Sequence, residues 1–266
     1  MLRMSRLLLV FLLAFSPSAF SEINACKEPY VIQVGPEFSS NFMIDYFGNF
    51  TLSLAQSLGC GTRIQGTKNY REFLKSILAH KADIYLVPHH FMPALANEGY
   101  IPALERAATT EILYITQISS FSAESFGKDK ILQVYTPGRL SMDQFGIEQW
   151  LQDQKITNYE QHHSHTYASV MLRSIKQPNI VATVPKNLFE RTPNNIQAKL
   201  KVYPSGIFVG SYIIVHKNSR KDVINAIHRS KDQLALEQWS DQPEIKPNQY
   251  SQRFQENFNL LKKPTK

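Results

Sequence analysis

The chain has 266 residues, with 29 Lys and Arg against 22 Asp and Glu, for a formal net charge of +7. That balance is too mild for a nucleic-acid binder, and no Lys/Arg cluster is longer than Lys262-Lys263. A small anionic partner is compatible with it but not demanded by it.

Residues 1–21 carry Arg3 and Arg6, the apolar run Leu7 to Phe15, a helix-breaking Pro17, and the small residues Ala19 and Ser21. This is the pattern of a secretory signal peptide cleaved after Ser21. The apolar run has nine residues, well short of the ~20 that span a bilayer as a helix. The mature chain is therefore expected to be soluble and outside the cytoplasm, with a net charge of +5 on 245 residues. Its two cysteines, Cys26 and Cys60, form an even count in an oxidising compartment, which predicts a bridge between them. The rival reading makes Cys26 a lipid anchor after Ile23-Asn24-Ala25. Asn24 fits that reading poorly, and the site lies far from the apolar run.

In chain order, Tyr30 to Val34 predicts a strand, Ser40 to Leu58 a long helix, and Thr62 to Gln65 a strand. Phe73, Leu74, Ile77 and Leu78 fall at helical spacing, and Ala82 to Val87 is a short apolar strand ended by Pro88. A helix follows over Phe91 to Asn97, then strands over Ile101 to Arg106 and Ile112 to Ile118. The polar segment Ser119 to Lys130 reads as a crossover. Beyond it come strand Ile131 to Tyr135, helix Met142 to Gln152, a short strand near Tyr159, helix Tyr167 to Ile175, strand Ile180 to Val184 and a helical turn after Pro185. A strand near Val202, the turn Pro204-Ser205-Gly206, strand Tyr212 to His216 and helix Lys221 to Trp239 complete the pattern.

Such alternation predicts an α/β fold of parallel sheets with helices on both faces. Two runs joined by extended crossovers make a two-lobed clamp. With Ser119 to Lys130 and Leu200 to Ser211 as the crossovers, residues 22–118 and 212–266 form one lobe and 119–211 the other, crossovers included.

Several residues are placed to meet a ligand. His89 and His90 stand where a strand hands over to a helix, and ligands of open α/β sheets bind outside the carboxyl ends of strands. Ser39 and Ser40 open the first long helix, either as a plain N-cap or with a ligand under that helix end; the two readings do not exclude each other. Tyr114, Tyr135 and Tyr212 belong to the core or to the cleft. Tyr212 follows Gly210-Ser211, where a hinge would turn it inward.

His162, His163 and His165, with His89 and His90, suggest a periplasmic metal-binding protein as an alternative. The His-His-Ser-His spacing matches no established zinc site, however, and adjacent residues on an extended segment face opposite ways. No nucleophile elbow, phosphate-cradling loop with Lys, or Cys/His pair is present, so neither an enzyme nor a cofactor is expected. A periplasmic hydrolase using Asp83 or the histidines is the alternative from another class.

The Tyr70-x-x-Phe73-x-x-x-Ile77 helix, Ala82-Asp83-Ile84 running into Pro88, Phe91 and Ala94, and Ser164-His165 opening a helix at Thr166 together resemble one family. It is the substrate-binding proteins of phosphate, phosphite and phosphonate uptake, and the resemblance covers nearly the whole mature chain. It implies the type II periplasmic binding fold with two crossover strands, a periplasmic location, and no catalysis. It also implies a monomer that binds a small anion and serves an ABC transporter permease or a membrane sensor. The family's anion site maps onto Ser164, His165 and Thr166, with helix N-termini and hydroxyls around them. The Ser/Thr-rich loop of the family is thinned here to Thr136 and Ser141, with Arg139 available as a charged donor. The absence of acidic residues near Val181 to Asn187 argues against an aminoalkyl phosphonate.

Overall fold

Strand β1 (Tyr30–Val34) is buried in four of its five residues, which is why it runs up the middle of a sheet rather than along an edge. The computed structural model describes residues 26, 28–119, 121, 126, 130–164, 166–219, 221–235 and 239–262. The predicted signal peptide and His165 lie outside the described residues, as does most of the segment Ser119 to Lys130.

After β1 come α1 (Ser40–Leu58), β2 (Thr62–Gln65), α2 (Tyr70–Leu78), β3 (Ile84–Pro88), a 3₁₀ turn at His89–Phe91, α3 (Met92–Asn97) and β4 (Tyr100–Thr116). The second run is β5 (Leu132–Thr136), α4 (Met142–Asp153), β6 (Tyr159–His163), α5 (Tyr167–Lys176), β7 (Ile180–Pro185), α6 (Lys186–Glu190), α7 (Asn194–Gln197) and β8 (Lys201–His216). The chain ends through α8 (Lys221–Ser230), β9 (Trp239–Ser240) and α9 (Gln249–Lys262).

Local chemistry sets the helix starts, because each needs oxygens for its first free N–H groups. Ser39 accepts from Phe42 N–H at 3.3 Å, Asn69 from Glu72 at 2.9 Å, and Ser141 from Gln144 at 3.1 Å. Thr166 and Ser169 form a reciprocal capping box at the start of α5. Gly59, with φ +62°, ends α1 in the left-handed conformation that glycine adopts without strain.

The strands run in the order β2-β1-β3-β8-β4-β7-β5-β6. β1 pairs in parallel with β2 and β3, and β5 in parallel with β6 and β7. Between these parallel halves lie the two long strands β4, of 17 residues, and β8, of 16. One end of their antiparallel ladder extends the first half and the other end the second.

The two strands expected at Ile101 to Arg106 and Ile112 to Ile118 are thus one strand, bent by register shifts between Arg106 and Thr110. The passage between lobes lies inside β4 and β8, ahead of Ser119 to Lys130, and Ile112–Thr116 pair with β7 of the second lobe. The stretch Ala107–Glu111 has no large apolar side chain and breaks the apolar run, so a bent strand reads in sequence as two strands and a gap. The helix expected over Lys221 to Trp239 ends at Ser230, and Trp239 instead pairs with β4. The Cys26–Cys60 disulfide is present, tying the entry of β1 to the end of α1.

Three buried clusters hold the molecule together. One lies under α1 and α8 and contains Phe47, Phe50, Leu54 and Ile227. A second lies under α5 and contains Val170, Ile180 and Val184. The largest spans both lobes, from Phe73, Tyr85 and Phe91 to Phe145 and Leu151, with Phe254 and Phe258 of α9 between them.

Candidate functional site

Six parallel-sheet strand ends converge on the junction of the lobes. β1 leads to Glu37, β2 to Tyr70, β3 to His89 and His90, β5 to Asp143, β6 to Tyr167 and β7 to Asn187. Of these residues all but His89 line one cavity of about 90 Å³, closed on the hinge side by Arg106, Thr110 and Val209–Ser211. Among the described residues nine buried side-chain atoms have no hydrogen-bond partner, and six belong to residues lining this cavity. Buried polar groups are normally paired, so a concentration of unpaired ones in one chamber makes it the candidate site.

The unpaired atoms separate by chemistry. Arg106 and Trp239 are directly opposite each other on β4 and β9, and their Nε and Nε1 atoms are unpaired N–H donors. The acceptors Glu37 Oε2, Asp143 Oδ1 and Asn187 Oδ1 have no partner in good hydrogen-bond geometry, although the Tyr70 hydroxyl lies close enough to Glu37, and that of Thr183 to Asp143, to favour the ionised acids. His90 belongs with the acceptors. Its Nε2 lies 2.8 Å from the Leu140 carbonyl, which can only accept, so Nε2 carries the hydrogen. Burial lowers its pKa to about 3, so the ring is neutral and Nδ1 is a bare lone pair.

The two acids are held away from their ordinary state. Burial raises Glu37 to about 7, with Asp143 as a further, smaller cause, and raises Asp143 to about 6. The Tyr167 hydroxyl donates to Asp143 Oδ2 at 3.0 Å, which favours the ionised form but does not outweigh burial. Burial, and then the charge of Glu37 or Asp143, pushes the Tyr70 and Tyr167 phenols well above their usual range, so both remain protonated. Glycine at position 35 makes room for Glu37, since a Cβ there would stand 2.3 Å from Glu37 Oε2.

The residues singled out from sequence fall in several places. His90 lines the cavity. Ser39 and Thr166 cap their helices beside an adjoining pocket of about 140 Å³ that Glu37 and Tyr167 also line. Ser40 is exposed on α1. His89 lies on another pocket with Lys246, its Nε2 3.8 Å from Glu105, and its ring packs on Tyr212 at 4.5 Å. Tyr212 is fully buried and donates to the Glu244 carbonyl at 2.7 Å, a core role.

Arg139 is exposed, near His163 on an outer groove. Thr136 Oγ1 lies 3.0 Å from His163 Nδ1, and buried Ser141 donates to Gly138. Ser164 is buried beyond the end of β6, its N–H on the Thr136 carbonyl. His162 stacks on Tyr135 and bonds Gln133, so it and His163 face different neighbours. Among the described residues no group of three or more His, Cys, Asp or Glu could hold a metal ion.

Sequence reasoning applied the strand-end rule at β3 and missed Glu37, Tyr70, Asp143, Tyr167 and Asn187 at the other ends. The same rule would have found them. Arg106 and Trp239 carried no such signal, because their pairing depends on a chain reversal of more than a hundred residues.

No family model matches the sequence, and no curated protein sequence matches it. Solved structures do resemble it. PhnD1 from Prochlorococcus marinus in complex with methylphosphonate is 13% identical with a TM-score of 0.64, over 87% of this chain and 99% of that one. A binding-protein component of an ABC phosphonate transporter from Pseudomonas aeruginosa is 15% identical with a TM-score of 0.60, over 90% of each chain. The periplasmic binding protein BugD is 14% identical with a TM-score of 0.61, over 89% of this chain and 98% of that one. At these identities the likeness concerns architecture, and the architecture is the one implied by the sequence motifs: this chain has the two-lobed periplasmic-binding-protein fold with two strands crossing between the lobes.

Proposed function

We propose that this chain is an exported solute-binding protein that receives one small molecule between its lobes and carries it, or the signal of its presence, to a membrane partner. The observation that carries the reading is the gathering of unpaired buried donors and acceptors from both lobes around one small cavity. A molecule bridging Glu37, Tyr70 and His90 on one side and Asp143, Tyr167 and Asn187 on the other favours the closed arrangement over the open one. The fold likeness to binding proteins, one of them a component of an ABC phosphonate transporter, supports a binder over an enzyme and a permease as the partner.

An anionic group on the molecule fits the Arg106 and Trp239 wall, where a guanidinium and an indole N–H stand side by side. The leader-like residues 1–21 support a periplasmic destination. A thermal-shift screen of the mature protein against oxyanions, phosphonates, amino acids and amines tests the reading, since a ligand of the folded state raises its melting temperature by mass action. Melting unchanged across such a screen, and no small molecule retained by protein purified from the periplasm, would refute it.

A further inference from the structure

We infer that the small molecule held between the lobes carries a protonated amine, seated against the carboxylates of Glu37 and Asp143, one from each lobe. This rests on the solute-binding reading above and adds the class of solute. Four unpaired acceptors belong to residues lining the cavity: Glu37 Oε2, Asp143 Oδ1, Asn187 Oδ1 and, by the tautomer its partner imposes, His90 Nδ1. Unpaired donors are fewer and lie together on Arg106 and Trp239.

A plain oxyanion such as phosphate brings more acceptors and sets like charge against two acids. An ammonium brings three donors and no acceptor, and its charge offsets that of the pair. Asp143 is itself 3% exposed and fixed by Tyr167 at 3.0 Å, so it cannot turn out to solvent for a partner. The rings of Phe38, Phe42, Tyr70 and Tyr167 also line the cavity, which suits an organic cation. Among the described residues no set of acids and histidines is grouped to hold a metal ion.

The elevated values of Glu37 and Asp143 agree with this, because a pair of acids lacking a cation retains a proton towards neutral pH. Arg106 and Trp239 line the same cavity as the two acids, so a molecule with an amine at one end and an acceptor group at the other would meet both sets of groups.

Matched pairs of probes isolate the amine: glycine and acetate, aminomethylphosphonate and methylphosphonate, γ-aminobutyrate and butyrate, alongside inorganic phosphate, Mg²⁺ and Zn²⁺. Melting temperature and calorimetric affinity are measured on the mature protein. At least one aminated probe should raise the melting temperature and bind about tenfold or more tightly than its deaminated partner, the loss expected when a charge-assisted hydrogen bond is removed. Glu37→Gln and Asp143→Asn should each weaken that probe about tenfold or more. Gly35→Ala, which displaces the Glu37 carboxylate without changing any cavity-lining residue, should do the same if a direct variant fails to fold.

Equal binding of both members of a pair, stabilisation by phosphate, methylphosphonate or a divalent ion alone, or full amine affinity in both acid variants would overturn the amine. Binding of a deaminated probe would leave the solute-binding reading standing, whereas no binding by any probe counts against both.

Discussion

Glu37 and Asp143 give the cavity a pH response, together with His90, which works in the opposite sense. An acid whose pKa is raised by folding leaves the protein most stable below its unfolded value and costs stability as pH rises to its folded value. For Glu37 that window runs from 4.5 to about 7, and for Asp143 from 3.8 to about 6. His90 stays neutral down to about 3 against an ordinary 6.5, so its contribution is lost as pH falls through that interval. The other titratable groups facing these acids are the Tyr70 and Tyr167 phenols, which stay protonated throughout.

Glu37→Gln removes one acid and leaves His90 in place. Its melting temperature should therefore gain on the parent as pH rises from 4.5 to 7, towards about 2 kcal/mol, less than the full shift implies because Glu37 is only partly buried as a residue. Scans of both proteins at several pH values check this, and a constant difference would show that Glu37 is solvated.

Among the elements, α9 is the long helix that sequence periodicity left unread, although Tyr250, Phe254, Phe258 and Leu261 recur at helical spacing. Its low overall hydrophobicity hid the stripe. Phe254 is fully buried and stacks on Phe91 at 3.9 Å, while Arg253 pairs with Glu148 of α4 and Tyr250 lies near Phe145. α9 therefore straddles both lobes behind the cavity. Phe254→Ala should cost roughly 3–5 kcal/mol, through lost burial and the void left between α3 and α9; chemical denaturation measures it.

The bridge between Cys26 and Cys60, 34 residues apart, acts at the same scale. In the chain-entropy account a loop of that length contributes about 3–4 kcal/mol. Reduction, or replacement of both cysteines by serine, should lower the melting temperature by roughly 6–15 °C. Two free thiols in unfolded, unreduced protein would rule the bridge out.

For the whole molecule the question is how the lobes stay together. His90 reaches across the junction to donate to the Leu140 carbonyl at 2.8 Å, and its ring lies 6.1 Å from Phe145. Nε2 carries its hydrogen whether or not the ring is protonated, so this contact does not depend on pH through His90 itself. His90→Phe keeps an aromatic ring but leaves the Leu140 carbonyl unpaired, which should shift the lobes towards the open form. Affinity for a confirmed ligand should then fall about five- to tenfold, at the scale of one hydrogen bond. Small-angle scattering of the parent should show a smaller radius of gyration with ligand than without, and the variant a larger one without ligand. A tight ligand that leaves the profile unchanged would show that binding occurs within a preformed closed shape.

The alternation of strands and helices, the helix starts at Ser39 and Thr166, and the apolar stripe of α2 were legible in the sequence. Each rests on neighbours a few residues apart, and periodicity and capping chemistry act at that range. The passage through β4 was not legible, because a bend inside one strand and a gap between two strands leave the same stretch without a large apolar side chain at Ala107–Glu111. Nor was the chamber. Glu37 and Asp143 lie more than a hundred positions apart, in Pro36-Glu37-Phe38 and behind a helix cap, and look like any surface acids. Only the tertiary structure, by setting two sets of strand ends face to face and withdrawing water from between them, turns two ordinary carboxylates into a buried pair.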